Sequence, residues 1–291
     1  HAEAKDVLAG AMLNYARLEA EKGSVPRPLS GTSDRPTVSL LGEMFPADPV
    51  AIGGLLEPLG LAAGPVIPCR EWRELYGALD SSLVAAIHPF YTAAIREFQV
   101  AGRPVIGSAP VGCEGTNTWL TAVAEAFGVK TKILEDCKNK FLSKIKNALK
   151  ENKVEGTITL SGYEGSELLV ARLLVESGAS IPYVGTACPK TQWSEPDREW
   201  LEARGTEIKY RASLEDDCAA MEGIKPDLAI GTTPVVQKAK EKGIPVFTPE
   251  SIGNSGFLKK VSKIIAGYKK KRFQVFLVSI KMMLIVAKKV K

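Results

Sequence analysis

The amino-acid sequence predicts two tandem α/β domains, each with a doubly wound parallel sheet. Three observations lead there. The chain has 291 residues, and at roughly 100 to 200 residues per domain that length suits two domains of moderate size. Five short blocks occur in one order in each half. Short, continuous apolar runs alternate with amphipathic stretches of helix length, the pattern of βαβ units.

Residues 1–22 carry Leu8, Met12, Leu13, Ala16 and Leu18 at helical spacing and predict a leading helix. Residues 23–36 are rich in Gly, Ser and Pro and predict a linker, so 1–35 is a helix plus linker ahead of a first domain over 36–131. That domain opens on T-V-S-L-L-G (37–42), matched by T-I-T-L-S-G (157–162). L-L-E-P-L-G (55–60) pairs with L-L-V-E-S-G (173–178), and V-I-P-C-R-E-W (66–72) with T-A-C-P-K-T-Q-W (186–193). L-V-A-A-I-H-P (83–89) pairs with D-L-A-I-G-T-T-P (227–234), and F-Q-V-A-G-R-P-V-I (98–106) with K-A-K-E-K-G-I-P-V (238–246). The first three blocks recur after 118 to 121 residues and the last two after about 141 to 145, so the second half carries one late insertion. Trp72 and Trp193 fall at equivalent places, which reads as structural packing.

The runs Val84–Ile87 and Leu228–Ile230 are apolar throughout, as strands covered on both faces require. After Gly162, Leu168, Leu169, Ala171, Leu173 and Leu174 oppose Glu164, Glu167, Arg172 and Glu176, an apolar stripe with a polar reverse. A charged helix over 132–153, with Phe141, Leu142, Ile145 and Leu149 on one face, connects the first domain to a second over 154–254.

Charge divides by position. The formal net charge is +5, yet residues 255–291 hold eleven Lys and Arg and no acid. The remaining residues keep 27 bases against 33 acids, a charge of −6, so the basic character belongs to a C-terminal segment. Within that segment Phe273–Ala287 is apolar apart from Ser279, Gln274 and Lys281. It falls short of the roughly 20 residues that span a bilayer and reads as a buried strand or helix, or as a membrane-surface segment.

Several chemistries are excluded. Five scattered cysteines (Cys69, Cys113, Cys137, Cys188, Cys218) do not make a secreted disulfide framework, and they point to a reducing cytoplasm. No C-x-x-C occurs, and His88 is the one histidine besides His1, which leaves no zinc ribbon and no multi-histidine metal centre. Neither a Walker loop nor a G-x-S-x-G elbow is present. The chain opens His1-Ala2-Glu3-Ala4 without an initiator Met or a signal peptide, which reads as a processed product or a piece of something longer.

In open α/β sheets ligands bind outside the carboxyl ends of the strands. The repeat locates those loops at 42–46, 88–91 and 108–112, then at 162–166, 185–189 and 231–234. Their Gly and Pro residues also simply make strand-to-helix turns. Gly162-Tyr163-Glu164-Gly165-Ser166 lets backbone approach a ligand ahead of a helix N-terminus. It lacks the G-x-G-x-x-G spacing and a ribose-binding acid at the next strand end, so no nucleotide is expected on this chain. Glu164 serves a ligand or complements the helix dipole. His88, whose residue type titrates near neutrality, is a proton donor or a packed loop histidine. Cys188 is a thiolate ligand or a small buried residue.

The same loops carry a family resemblance. S-L-L-G-E-M-F-P-A-D-P-V-A-I-G-G (39–54), R-E-W-R-E-L-Y (70–76), A-A-I-H-P-F-Y-T-A (85–93) and G-S-A-P-V-G (107–112) resemble the Y-subunit family of chlorophyllide a reductase. So do I-T-L-S-G-Y-E-G-S-E-L-L-V-A-R-L-L (158–174), P-Y-V-G-T-A-C-P (182–189), D-R-E-W-L-E-A (197–203) and D-L-A-I-G-T-T-P-V-V-Q-K-A-K (227–240). The resemblance runs over about 37–246 and weakens beyond Val246. It implies tandem Rossmann-like domains of the nitrogenase component 1-like type. It also implies a homologous Z-like partner subunit, a [4Fe-4S] cluster with ligands outside this chain, and an ATP-dependent, X-like iron protein as electron donor. The implied reaction reduces a tetrapyrrole ring double bond on the route to bacteriochlorophyll. Met44, Phe45, Phe90, Tyr91 and Tyr163 are then the substrate-wall candidates, with His88 or Glu164 as proton source. No metal ligand transfers to any of the five cysteines, and no nucleic-acid partner is expected. The alternative is a non-catalytic Rossmann-like scaffold whose basic tail docks on anionic lipid or nucleic acid. A periplasmic-type sugar- or nucleotide-binding protein fits less of the text.

Overall fold

The structure, a computed structural model, describes residues 2–23, 34–42, 47–69, 71–162, 165–247 and 254–270. They divide into two compact units. One runs to Ser143 and includes Thr191–Pro196; the other takes Lys144–Lys190 and the described residues from Asp197 onward.

The first unit begins with helix α1 (Ala2–Glu21) and continues β1 (Thr37–Leu41), α2 (Pro49–Leu56), β2 (Ala62–Ile67), α3 (Trp72–Leu79), β3 (Leu83–Ala86), α4 (Thr92–Val100), β4 (Val105–Gly107) and α5 (Gly112–Phe127). Its four strands are parallel in the order β2-β1-β3-β4. Helix α6 (Thr131–Glu151) follows, and the division between the units falls within it. The second unit has β5 (Thr157–Gly162), α7 (Glu167–Glu176), β6 (Ser180–Thr186), α8 (Glu195–Glu202), β7 (Glu207–Tyr210), α9 (Leu214–Ile224), β8 (Leu228–Ile230), α10 (Thr233–Glu241), β9 (Val246–Phe247) and α11 (Asn254–Lys270). Its parallel sheet runs β7-β6-β5-β8-β9.

The internal repeat maps onto this topology strand for strand. β1, β2, β3 and β4 correspond to β5, β6, β8 and β9, and the two sheets share that order. The late insertion is β7 with α9, which adds one edge strand beside β6. An insertion is accommodated at an edge because it leaves the existing ladder hydrogen bonds intact.

Three helices differ from their sequence reading. In α1 the apolar stripe was expected to include Leu8 and Leu18, but both are exposed, while Asp6, Ala9, Leu13 and Ala16 are buried. The helix is rolled so that Asp6 reaches the start of α4, where its carboxylate accepts from the backbone N–H of Ala93 (2.8 Å) and Ala94 (2.9 Å). In α7 the polar reverse is not solvated: Glu167 and Arg172 are as buried as the leucines, because each finds polar partners inside the unit. The first part of the basic segment is no free appendage either. α11 buries Phe257, Leu258, Val261 and Ile265, and Phe257 lies 5.6 Å from Phe247 of β9. Among the described residues no helix is long and apolar enough to cross a membrane; Phe273–Ala287 lies outside them.

Candidate functional site

In each sheet the chain winds outward in two directions from a central pair of strands, β1/β3 and β5/β8. Successive crossovers then leave on opposite faces and open a crevice at the carboxyl ends of that pair. In the first unit Gly42 follows the end of β1 directly and His88 follows the end of β3 after Ile87.

Gly42 has φ +105°, and a methyl group there would collide with the Cβ of His88. Its N–H donates to Ile67 O (2.7 Å), and the His88 N–H donates to Leu41 O (3.1 Å), so the two loops are stitched together where they leave the sheet. Gly42→Ala is expected to cost about 1–3 kcal/mol through backbone strain and displacement of His88; a lower denaturation midpoint than wild type checks this.

The His88 side chain is buried, and its Nδ1 accepts from the Phe90 N–H at 3.2 Å. An N–H can only donate, so the neutral ring carries its proton on Nε2. The ring centroid lies 5.7 Å from Phe90 and 5.2 Å from Tyr91, edge-on to the latter. His88, Phe90 and Tyr91 therefore share one turn. Phe90 is half-buried, whereas Tyr91 is 2% exposed and packs with Leu75, Ile95 and Phe98 in the core. Met44, Phe45, Tyr163 and Glu164 lie outside the described residues.

The second crevice holds a group that sequence reading passed over. Glu167, at the first position of α7, accepts from the Gly165 N–H (3.0 Å) and from Thr186 Oγ1 (2.7 Å). Thr186 Oγ1 in turn accepts from the Cys188 N–H (3.1 Å). Burial and then the nearby Glu167 charge push the Cys188 thiol up. An acid in the first helical turn after a Gly-rich strand end was the available signal, but it was equally the signature of a solvated helix start.

Burial also raises the thiols of Cys69, Cys137 and Cys218. A cluster site needs converging thiolates, and among the described residues no three His, Cys, Asp or Glu side chains converge on a metal position.

On the β6 face, Tyr183 Oη donates to Asp217 Oδ1 at 2.8 Å, and both side chains are buried. Desolvation pushes the Asp217 carboxyl up to about 6, against the lowering effect of that hydrogen bond. A raised folded-state value means that the acid's contribution to stability is fully present below its ordinary value of 3.8 and is lost as pH rises through about 6. Asp217→Asn keeps the acceptor and removes the buried charge. It is expected to raise stability by up to about 3 kcal/mol above neutrality, with the gain gone by about pH 4. Thermal melts of the two proteins across that range would show it.

Comparison with known proteins follows the same lines. The sequence profile of the nitrogenase component 1 type oxidoreductases matches residues 1–258, a wider span than the motifs at 37–246. The chlorophyllide reductase 52.5 kDa chain of Cereibacter sphaeroides is 69% identical over 245 residues, 84% of this chain and 49% of the relative. Its namesake in Rhodobacter capsulatus is 65% identical over 247 residues, 85% of this chain and 50% of the relative. The light-independent protochlorophyllide reductase subunit N of Prochlorococcus marinus is 28% identical over 164 residues, 55% of this chain and 39% of the relative. The chain thus spans about half the length of the chlorophyllide reductase chains it matches. Among solved structures, "Nitrogenase Cp1 at pH 6.5" superimposes with a TM-score of 0.64 at 16% identity, covering 96% of this chain and 68% of that one, a likeness of fold.

Proposed function

The chain belongs to the nitrogenase component 1 type oxidoreductases, and from that membership we propose that it is part of the catalytic component of a chlorophyllide a reductase. The observation that carries the reading is the 65–69% identity, over more than four fifths of the chain, to two chlorophyllide reductase chains. In this reading the chain works beside a homologous Z-like subunit, and an ATP-dependent iron protein supplies electrons. A [4Fe-4S] cluster belongs to the complex, with ligands other than the residues described here. The five thiols suit a reducing cytoplasm.

Reduction of a ring C=C bond takes up two electrons and two protons, so the pocket must deliver protons as well as hold an apolar ring. Phe90 is proposed to contact the macrocycle, since tetrapyrrole pockets need mainly apolar walls with few fixed polar groups; Met44, Phe45 and Tyr163 are the further candidates by residue type. Tyr91 supports that wall from the core. His88, whose Nδ1 accepts from the Phe90 N–H so that the neutral ring carries its proton on Nε2, is the proposed proton source, with Glu164 as the other candidate.

Co-expression with a Z-like subunit tests this. A stoichiometric complex that shifts the absorbance of chlorophyllide a is expected. A well-folded chain that neither pairs nor binds the pigment would sink the reading.

A further inference from the structure

We infer that Asp6 of α1 is a positioning residue for His88, an inference that rests on reading His88 as the proton source. The start of α4 has no local cap: its N-cap residue, Tyr91, makes no side-chain capping bond. The first N–H groups of a helix need outside acceptors. Asp6, 87 and 88 residues away in sequence, supplies one oxygen to the Ala93 N–H and the other to the Ala94 N–H, with Thr92 Oγ1 at 3.5 Å. Its negative charge also suits the positive end of the helix.

The rest of α1 holds this arrangement in register. Gly10 packs so closely on α4 that a methyl group there would lie 3.0 Å from the Ala93 Cβ. At the far end of α4, Glu97 Oε2 accepts from Asn14 Nδ2 (3.1 Å) and Arg17 Nε (3.3 Å). α1 therefore clamps α4 at both ends. The turn from His88 to Tyr91 runs straight into the clamped start: the Tyr91 N–H donates to His88 O, the Thr92 N–H to Phe90 O, and the Phe90 N–H to His88 Nδ1. Through this chain Asp6 keeps the Phe90 N–H on Nδ1 and the imidazole proton on Nε2.

Histidine ¹⁵N NMR reads the tautomer directly, since the chain has two histidines. Wild type is expected to show the Nε2–H tautomer for neutral His88; an Nδ1–H tautomer there overturns the inference whatever the variants do. Asp6→Asn, near-isosteric with one acceptor oxygen, should give a tautomer mixture. In the assembled reductase its kcat should fall on the order of tenfold to a hundredfold, with KM little changed and the pH profile displaced. Glu97→Ala loosens the other end of the clamp and should leave the tautomer as in wild type. A folded Asp6→Asn protein with wild-type tautomer and kcat overturns the inference and leaves the role of His88 intact. Conversely, full activity in His88→Gln removes the proton-source reading on which the inference rests, even if Asp6→Asn still alters the tautomer.

Discussion

Arg172→Ala is expected to destabilise the second unit by about 3–5 kcal/mol, the cost of breaking a buried ion pair from one side. Arg172 is 2% exposed, with Nη1 2.7 Å from Asp197 Oδ1 and Nε 3.6 Å from Glu176 Oε1. Its guanidinium also lies over the Trp200 ring, 4.7 Å from the centroid. Removing it takes the guanidinium counter-charge away from the Asp197 and Glu176 carboxylates, whose side chains are 4% and 5% exposed. Domain stabilities are roughly 5–15 kcal/mol, so most of the margin would be lost. Urea denaturation, followed by tryptophan fluorescence, measures it. The paired change Arg172→Met with Asp197→Leu should recover part of the loss, because it removes the guanidinium together with the nearer of its two carboxylates. A single-variant loss below about 1 kcal/mol would mean that the pair is effectively solvated.

The second large effect concerns chemistry. In the proposed reductase, His88→Gln should lower the kcat of pigment reduction on the order of a hundredfold or more, the usual contribution of a positioned general acid. Pigment affinity should change little, because glutamine retains polar contacts of similar size in the turn between β3 and α4. Single-turnover reduction with excess iron protein isolates the proton-dependent step from pigment release. A rate within about threefold of wild type would exclude His88 as the proton source and return attention to Glu164.

The strand ends that build both crevices could be read from the sequence because their signals are local. Gly42, His88, Gly162 and Gly231 each close an apolar run, and the repeat shows which runs correspond. Glu167, Arg172 and Asp6 could not be read in the same way. Each occupies a helix position that, seen along one helix, looks like a solvated face or cap. Only the partner explains its burial: Thr186 lies 19 residues from Glu167, Asp197 25 from Arg172, and Ala94 88 from Asp6. The roll of α1 follows the same logic, since two buried N–H groups of α4 outweighed the pull of Leu8 and Leu18 toward the core.

The sequence by itself determined the α/β class, the two parallel sheets, the duplicated order of their strands and the single insertion. Those depend on apolar periodicity and on turn residues, which act over a few positions. Tertiary structure decided where the insertion lies in the sheet, which charges are buried, and which nitrogen of His88 carries the proton. Such choices are made by hydrogen-bond partners brought together across long separations, where an unpaired buried group costs more than an exposed leucine.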